Sequence, residues 1–138
     1  MDFSQNTTSI YDFKRENTYS GFFNDELESL LKVHCQHLTV NDYVIGGYPE
    51  PLHRKKIERI IRPIMNRLFN KGLDSKDSQN RAVIHTLRHT FASHLAINDT
   101  SIFTIQKLMN HADIKHTMRY AKLAPDSGAD MVRNLYMS

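Results

Sequence analysis

Between Thr86 and Tyr120 apolar residues recur at helical spacing across two abrupt breaks, a pattern that leaves room for short helices and little else. Leu87, Phe91 and Leu95 come at steps of four. Asn98-Asp99-Thr100-Ser101 interrupts that run and caps the next one, which carries Ile102, Ile105, Leu108 and Met109. Asp113 is placed to cap a further short helix carrying Met118 and Tyr120. A polar series rides on this framework. His85 and Arg88 stand three apart on one helical face, His111 follows, and Tyr120 comes nine residues after that histidine.

The remainder reads as helical too, after a polar start. Residues 1–20, rich in Ser, Thr and Asn, show little periodicity and are expected to be poorly structured or to form a hairpin remnant. Asn24, with Asp25 and Glu26 behind it, predicts a helix start, and Leu27, Leu30, Leu31, His34 and Leu38 mark its buried face. Residues 43–51, with Gly46, Gly47, Pro49 and Pro51, read as a short extended piece and a loop. A helix from about His53 to Asn70 follows, with Ile57, Ile60, Ile61, Ile64 and Leu68 on one stripe. Pro63 should kink or split it, and Gly72 is a candidate stop. Residues 73–81 read as a polar loop, and about 127–136 as a last amphipathic helix offering Met131, Val132 and Leu135.

Bulk properties exclude more than they select. At 138 residues the chain fits one domain with a real core, and no apolar run approaches a membrane span. One cysteine, Cys35, rules out an intramolecular disulfide framework, so a cytoplasmic setting is expected. Charge is unevenly spread. Residues 1–31 hold six acids against Lys14 and Arg15, whereas 53–67 hold Arg54, Lys55, Lys56, Arg59, Arg62 and Arg67 against Glu58 alone. That basic stripe is either a solvated helix face or a track for a phosphate backbone, and both readings stand.

The polar series has the chemistry to grip a phosphodiester and attack it without a metal. Strand breakage needs a nucleophile at phosphorus, donors for the charge on the non-bridging oxygens, and an acid for the leaving 5′ oxygen. A tyrosyl phosphate ester conserves the bond energy, so no ATP is required. Arginine offers two parallel hydrogen bonds and a permanent charge, and histidine donates to phosphate or moves protons near neutral pH. No metal and no cofactor are expected.

The run His85-Thr86-Leu87-Arg88-His89-Thr90-Phe91-Ala92-Ser93, with Leu108-Met109-Asn110-His111 and Thr117-Met118-Arg119-Tyr120, resembles the C-terminal half of the tyrosine recombinases, the phage integrase family, over roughly residues 22–125. The resemblance implies a mainly α, multi-helix catalytic domain of the DNA breaking-rejoining type, truncated at its N-terminus, with room for a short β-hairpin remnant. Residues 21–138 would then be the C-terminal part of that domain. It implies site-specific DNA recombination, with Tyr120 attacking a phosphodiester to give a 3′-phosphotyrosyl intermediate. Arg88 would clamp the scissile phosphate, His85 would accept or donate a proton, and His111 would hydrogen-bond a phosphate oxygen. Double-stranded DNA is the implied partner, together with other protomers in a tetramer, and Met131, Val132 and Leu135 would dock on a neighbour or pack on their own chain.

Two departures matter. Nothing here resembles the family's Gly-Leu-Arg-x-x-Glu turn, which carries its first arginine. The chain is therefore expected to be a fragment with very weak or no cleavage, because a lost oxyanion donor costs roughly 2.7–4 kcal/mol. The family's hairpin lysine falls on Lys14, a candidate general acid for which the plainer reading is a flexible surface residue. Asn110 replaces the usual glycine, a smaller change because Asn tolerates left-handed backbone. Two other functions remain open: a non-catalytic DNA-binding remnant built on Arg54, Lys55, Lys56, Arg59 and Arg62, and a metal-binding helical protein using His85, His89 and His94. His89 itself is expected to bond across helix packing, and His34, His37, His53 and His116 to be ordinary surface or packing residues.

Overall fold

The computed structural model describes residues 1–46, 50–126 and 128–134, and it divides into two compact units, Met1–Ile84 and His85–Ser138. The expected fold class holds: six α-helices and one two-stranded sheet appear among the described residues. None of these helices is long and apolar enough to cross a membrane.

The first unit opens on an antiparallel hairpin. Strand β1 (Thr7–Asp12) pairs with β2 (Asn17–Phe22) in the register Thr7 to Phe22 through Asp12 to Asn17. Threonines and Ile10 suit a pleated ribbon. The Asp12 carboxylate closes the turn by accepting the Lys14 and Arg15 backbone N–H groups, at 3.0 and 3.3 Å. Glu16 completes the reversal in the left-handed region, at φ 51°. Gly21 lets the ribbon close, because a Cβ there would stand 2.9 Å from the Ile10 side chain.

Helix α1 (Asp25–Cys35) starts where the sequence places it: the Asn24 side chain accepts the Leu27 N–H at 3.0 Å. Its expected apolar face is not a core, since no α1 residue is buried and Leu27, Leu30 and His34 lie exposed. The extended piece and loop expected at 43–51 fall partly on residues 47–49, outside the described residues.

Helix α2 (Arg54–Phe69) runs through Pro63 without splitting, because proline deprives the helix of one i→i−4 bond while the flanking bonds carry on. Its apolar face departs from the expected stripe. The inward line is Ile57, Ile61 and the buried Met65, at steps of four, whereas Ile60, Ile64 and Leu68 face outward. Buried Asn70 caps the end and clasps the returning chain. It donates to the Ala82 carbonyl at 2.9 Å and accepts the Ala82 N–H at 2.7 Å. Arg81 reaches back to the Asn66 side-chain oxygen at 2.6 Å, so the polar loop after α2 is pinned at its far end. Gly72 takes φ 83°, two residues past the cap.

The second unit holds α3 (Ile84–Ile97, whose first residue lies in the first unit), α4 (Ile102–Leu108), α5 (Lys115–Met118), a 3₁₀ turn at 121–123 and α6 (Gly128–Asn134). Its core is Ala92, Ala96, Ile105, Met109 and Tyr120, flanked by Leu95 and Ile102. The α3 residues that pack are thus the two fully buried alanines and the partly buried Leu95. Leu87 and Phe91, expected beneath the helix, are 49% and 51% exposed. Asp99, at φ 59°, turns the chain after α3. Ser101 then caps α4 by accepting the Thr104 N–H at 3.1 Å.

Candidate active site

The second unit draws four sequence-selected residues, His85, Arg88, His111 and Tyr120, around one open cleft of about 440 Å³. Three elements supply them. Helix α3 carries His85 and Arg88 one turn apart, the turn after α4 carries His111, and the segment after α5 carries Tyr120. His89, Lys115, His116 and Arg119 line the same cleft. Apart from Tyr120, every one of these side chains is a cation or a protonatable nitrogen base, which suits an anionic occupant.

Tyr120 is anchored twice. Its ring belongs to the core and is only 4% exposed, while its hydroxyl meets His89 Nδ1 at 2.5 Å. The Arg119 guanidinium carbon stands 5.9 Å from the centre of the Tyr120 ring. The ring is thus fully packed, and its polar end points at a histidine in the cleft.

Arg88 is braced from the side. Its Nη2 donates to the carbonyl of Met109, linking α3 to the end of α4. One residue later Asn110 adopts φ 47°, the left-handed conformation that glycine takes most cheaply and Asn tolerates. That turn delivers His111, whose backbone N–H reaches the Gln106 carbonyl at 3.0 Å. His111 Nδ1 lies 2.9 Å from the hydroxyl of Thr117, a wholly buried side chain. Asp113 is not the cap of α5 that its position suggested: the N-cap is Ile114, without a side-chain bond, and Tyr120 falls beyond the helix, although the Asp113 carboxylate accepts the Lys115 N–H at 2.9 Å.

Electrostatics separate His89 from its neighbours. Burial, then the charges of His85, Arg119 and Arg88, push its pKa below the ordinary 6.5, so the ring favours its neutral form. The His85 ring stands edge-on to it with centroids 4.6 Å apart. His111 and His116 have centroids 6.0 Å apart. Among the described residues no group of three or more His, Cys, Asp or Glu side chains is placed to hold a metal.

The remaining candidates belong to the first unit. Lys14 sits in the turn of the hairpin, between β1 and β2. On α2, Lys55, Arg59 and Arg62 line a shallow groove of about 490 Å³ with Glu58 and Pro63, and Lys56 is exposed beside them. Arg54 departs from that row by pairing with Glu58, Nε to Oε1, at 2.8 Å. Of the terminal trio, Val132 is exposed on α6, and Leu135 lies outside the described residues.

Sequence reasoning did not select His89, Lys115, His116 and Arg119 as cleft residues. The signal for Lys115, His116 and Arg119 was present, since they lie between the turn that holds His111 and Tyr120. His89 was expected to bond across helix packing, and it does, but its partner, 31 residues away, could not be named from spacing.

The family described as Phage integrase family matches residues 1–126. The integrase of Escherichia phage 186 is 53% identical over 49 residues, 36% of this chain and 15% of that protein. A Saccharolobus solfataricus protein, tyrosine recombinase XerA, is 29% identical over 137 residues, 99% of this chain and 40% of its own length. The chain thus spans less than half the length of these curated relatives. A solved structure of the Tn1549 transposon integrase in complex with circular intermediate DNA superposes with a TM-score of 0.58. It is 17% identical, over 96% of this chain and 51% of that one, a likeness of fold.

Proposed function

Because this chain belongs to the phage integrase family, we propose that it is the C-terminal part of a site-specific DNA recombinase whose nucleophile is Tyr120. The observation that carries this reading is that Tyr120, Arg88, His85 and His111 line one cation-rich cleft. The Tyr120 oxygen attacks the scissile phosphorus, the P–O5′ bond breaks, and a 3′-phosphotyrosyl ester and a free 5′ hydroxyl result. Arg88 and His111 donate to the non-bridging oxygens, where charge grows. Attack by the 5′ hydroxyl of another strand reverses the step and reseals the backbone.

Finer assignments follow from the same reading. Lys14, in a hairpin turn as the family's lysine is, protonates the leaving oxygen. Lys55, Lys56, Arg59 and Arg62 follow the phosphates of duplex DNA, with Arg54 weakened by its pairing with Glu58. Recombination proceeds between protomers of a tetramer on DNA in the cytoplasm, and the segment bearing Met131, Val132 and Leu135 docks on a neighbour.

A duplex nicked near its target phosphate, which loses its short cleaved strand and so traps the product, tests this. The expected result is slow accumulation of protein-linked DNA, mapped by mass spectrometry to Tyr120 and absent in Tyr120→Phe. Salt-sensitive binding with no covalent product supports the second reading, a non-catalytic DNA-binding remnant, which the basic row of α2 favours. An adduct on any other residue refutes both.

A further inference from the structure

We propose that His89 is a catalytic residue of this site: its Nδ1 takes the Tyr120 hydroxyl proton as that oxygen attacks phosphorus. The inference rests on the recombinase reading and deepens it by naming the base. The resemblance gives proton transfer to His85, but the nitrogen on the hydroxyl belongs to His89, at 2.5 Å. A ring nitrogen in direct hydrogen-bond contact with the nucleophile's hydroxyl is the geometry a general base needs.

The surroundings fit a proton acceptor. The Tyr120 ring is locked in the core with Ile105 and Met109, so its hydroxyl has little freedom to turn away. On α3, His85 lies one turn before His89 and Arg88 beside it. From the segment after α5, Arg119 faces the same ring. His111, Lys115 and His116 complete the cleft wall. Among the described residues no carboxylate lines it, so nothing there offsets these positive charges, and burial adds to their effect. A neutral imidazole that accepts at Nδ1 carries its proton on Nε2, the tautomer that can receive a second proton at Nδ1.

The step balances without a further reagent. The Tyr120 O–H bond breaks, its proton moves to His89 Nδ1, and the oxygen's electron pair forms the bond to phosphorus. The P–O5′ bond breaks with its electrons on the 5′ oxygen, which takes a proton from Lys14 or from water. The imidazolium left at His89 sits against the new ester, and it returns the proton to Tyr120 when the strand is resealed.

His89→Asn is the informative variant, because its side-chain oxygen can still accept from the hydroxyl but is not basic. Adduct formation on the nicked duplex is followed from pH 5 to 9 for the unsubstituted chain, His89→Asn and Tyr120→Phe, with folding checked by circular dichroism. Rates for the unsubstituted chain are expected to rise with pH along a limb centred below 6.5. His89→Asn should be roughly 10²-fold slower or more at pH 7 and should lack that limb. Equal rates and pH profiles for the two, with Tyr120→Phe inert, overturn the role of His89 and leave the recombinase reading standing. No adduct from the unsubstituted chain removes both. Independently, ¹⁵N spectra of the imidazoles should show His89 with Nδ1 unprotonated at pH 7, and an Nδ1–H tautomer or a doubly protonated ring overturns the inference whatever the DNA result.

Discussion

Ile105→Ala should loosen the second unit by roughly 3–4 kcal/mol, and the structure shows why so much. Ile105 is 0% exposed and packs in the small core of Ala92, Ala96, Met109 and Tyr120. The substitution removes three carbons from that core. At about 0.8 kcal/mol each, transfer alone accounts for about 2.4 kcal/mol. Two of the neighbours are already alanines and cannot swing in to fill the hole, so a cavity penalty is added. The fitting assay is native-state hydrogen exchange at the Ala92, Ala96 and Met109 amides, which reads this unit separately from the first. Their opening should become more than a hundredfold more frequent, since 1.4 kcal/mol is a factor of ten. Ile105→Val should cost about 1 kcal/mol. A loss below 1 kcal/mol for the alanine variant, or a valine variant as damaged as the alanine one, would refute the claim that these side chains form one continuous core.

Three further outcomes follow from other parts of the chain. Asn110→Ala should lower stability by roughly 1–2 kcal/mol and Asn110→Gly should not, because only the former strains the left-handed turn at φ 47°, as thermal melting will show. His89 should make the fold acid-sensitive: its folded pKa is lowered, so its contribution is fully present above about 6.5 and is lost as pH falls through the lower folded value. Melting temperatures of the parent chain and His89→Asn should therefore converge or cross as pH drops below 6.5, and parallel curves would contradict that assignment. Replacing Lys55, Arg59 and Arg62 together by Gln should flatten the log–log salt dependence of duplex binding, by about 0.9 for each phosphate that is no longer neutralised.

The chemistry-bearing residues could be read in advance because their types, order and spacing are distinctive, and the cleft gathers His85, Arg88, His111 and Tyr120 as that pattern suggests. The helix ends were equally readable where a side chain does the capping, as at Asn24 and Ser101. What packs was harder. Weighing large apolar residues pointed to Leu87 and Phe91, but the fully buried positions of α3 are Ala92 and Ala96. The same bias placed Ile60 and Ile64 inside α2 and overlooked Met65. Pro63 was weighed by its missing donor and its clash with the preceding turn, but a helix of sixteen residues has enough other bonds to continue through it. The meeting of His89 with Tyr120 spans 31 residues and depends on how α3 approaches the chain after α5, which no local pattern encodes.

The bond from Arg88 to the Met109 carbonyl makes one side chain answer to two demands. One of its five N–H donors is occupied by the backbone turn that leads to Asn110 and His111, and the others are left to face an anion. Lysine, a single compact charge, cannot span both duties, so under the proposed recombinase chemistry Arg88→Lys would surrender the turn or the phosphate. On that reading rate and robustness would be inherited together: a lineage that relaxes this arginine would loosen its architecture in the same stroke, and drift at the turn would show in the speed of the reaction.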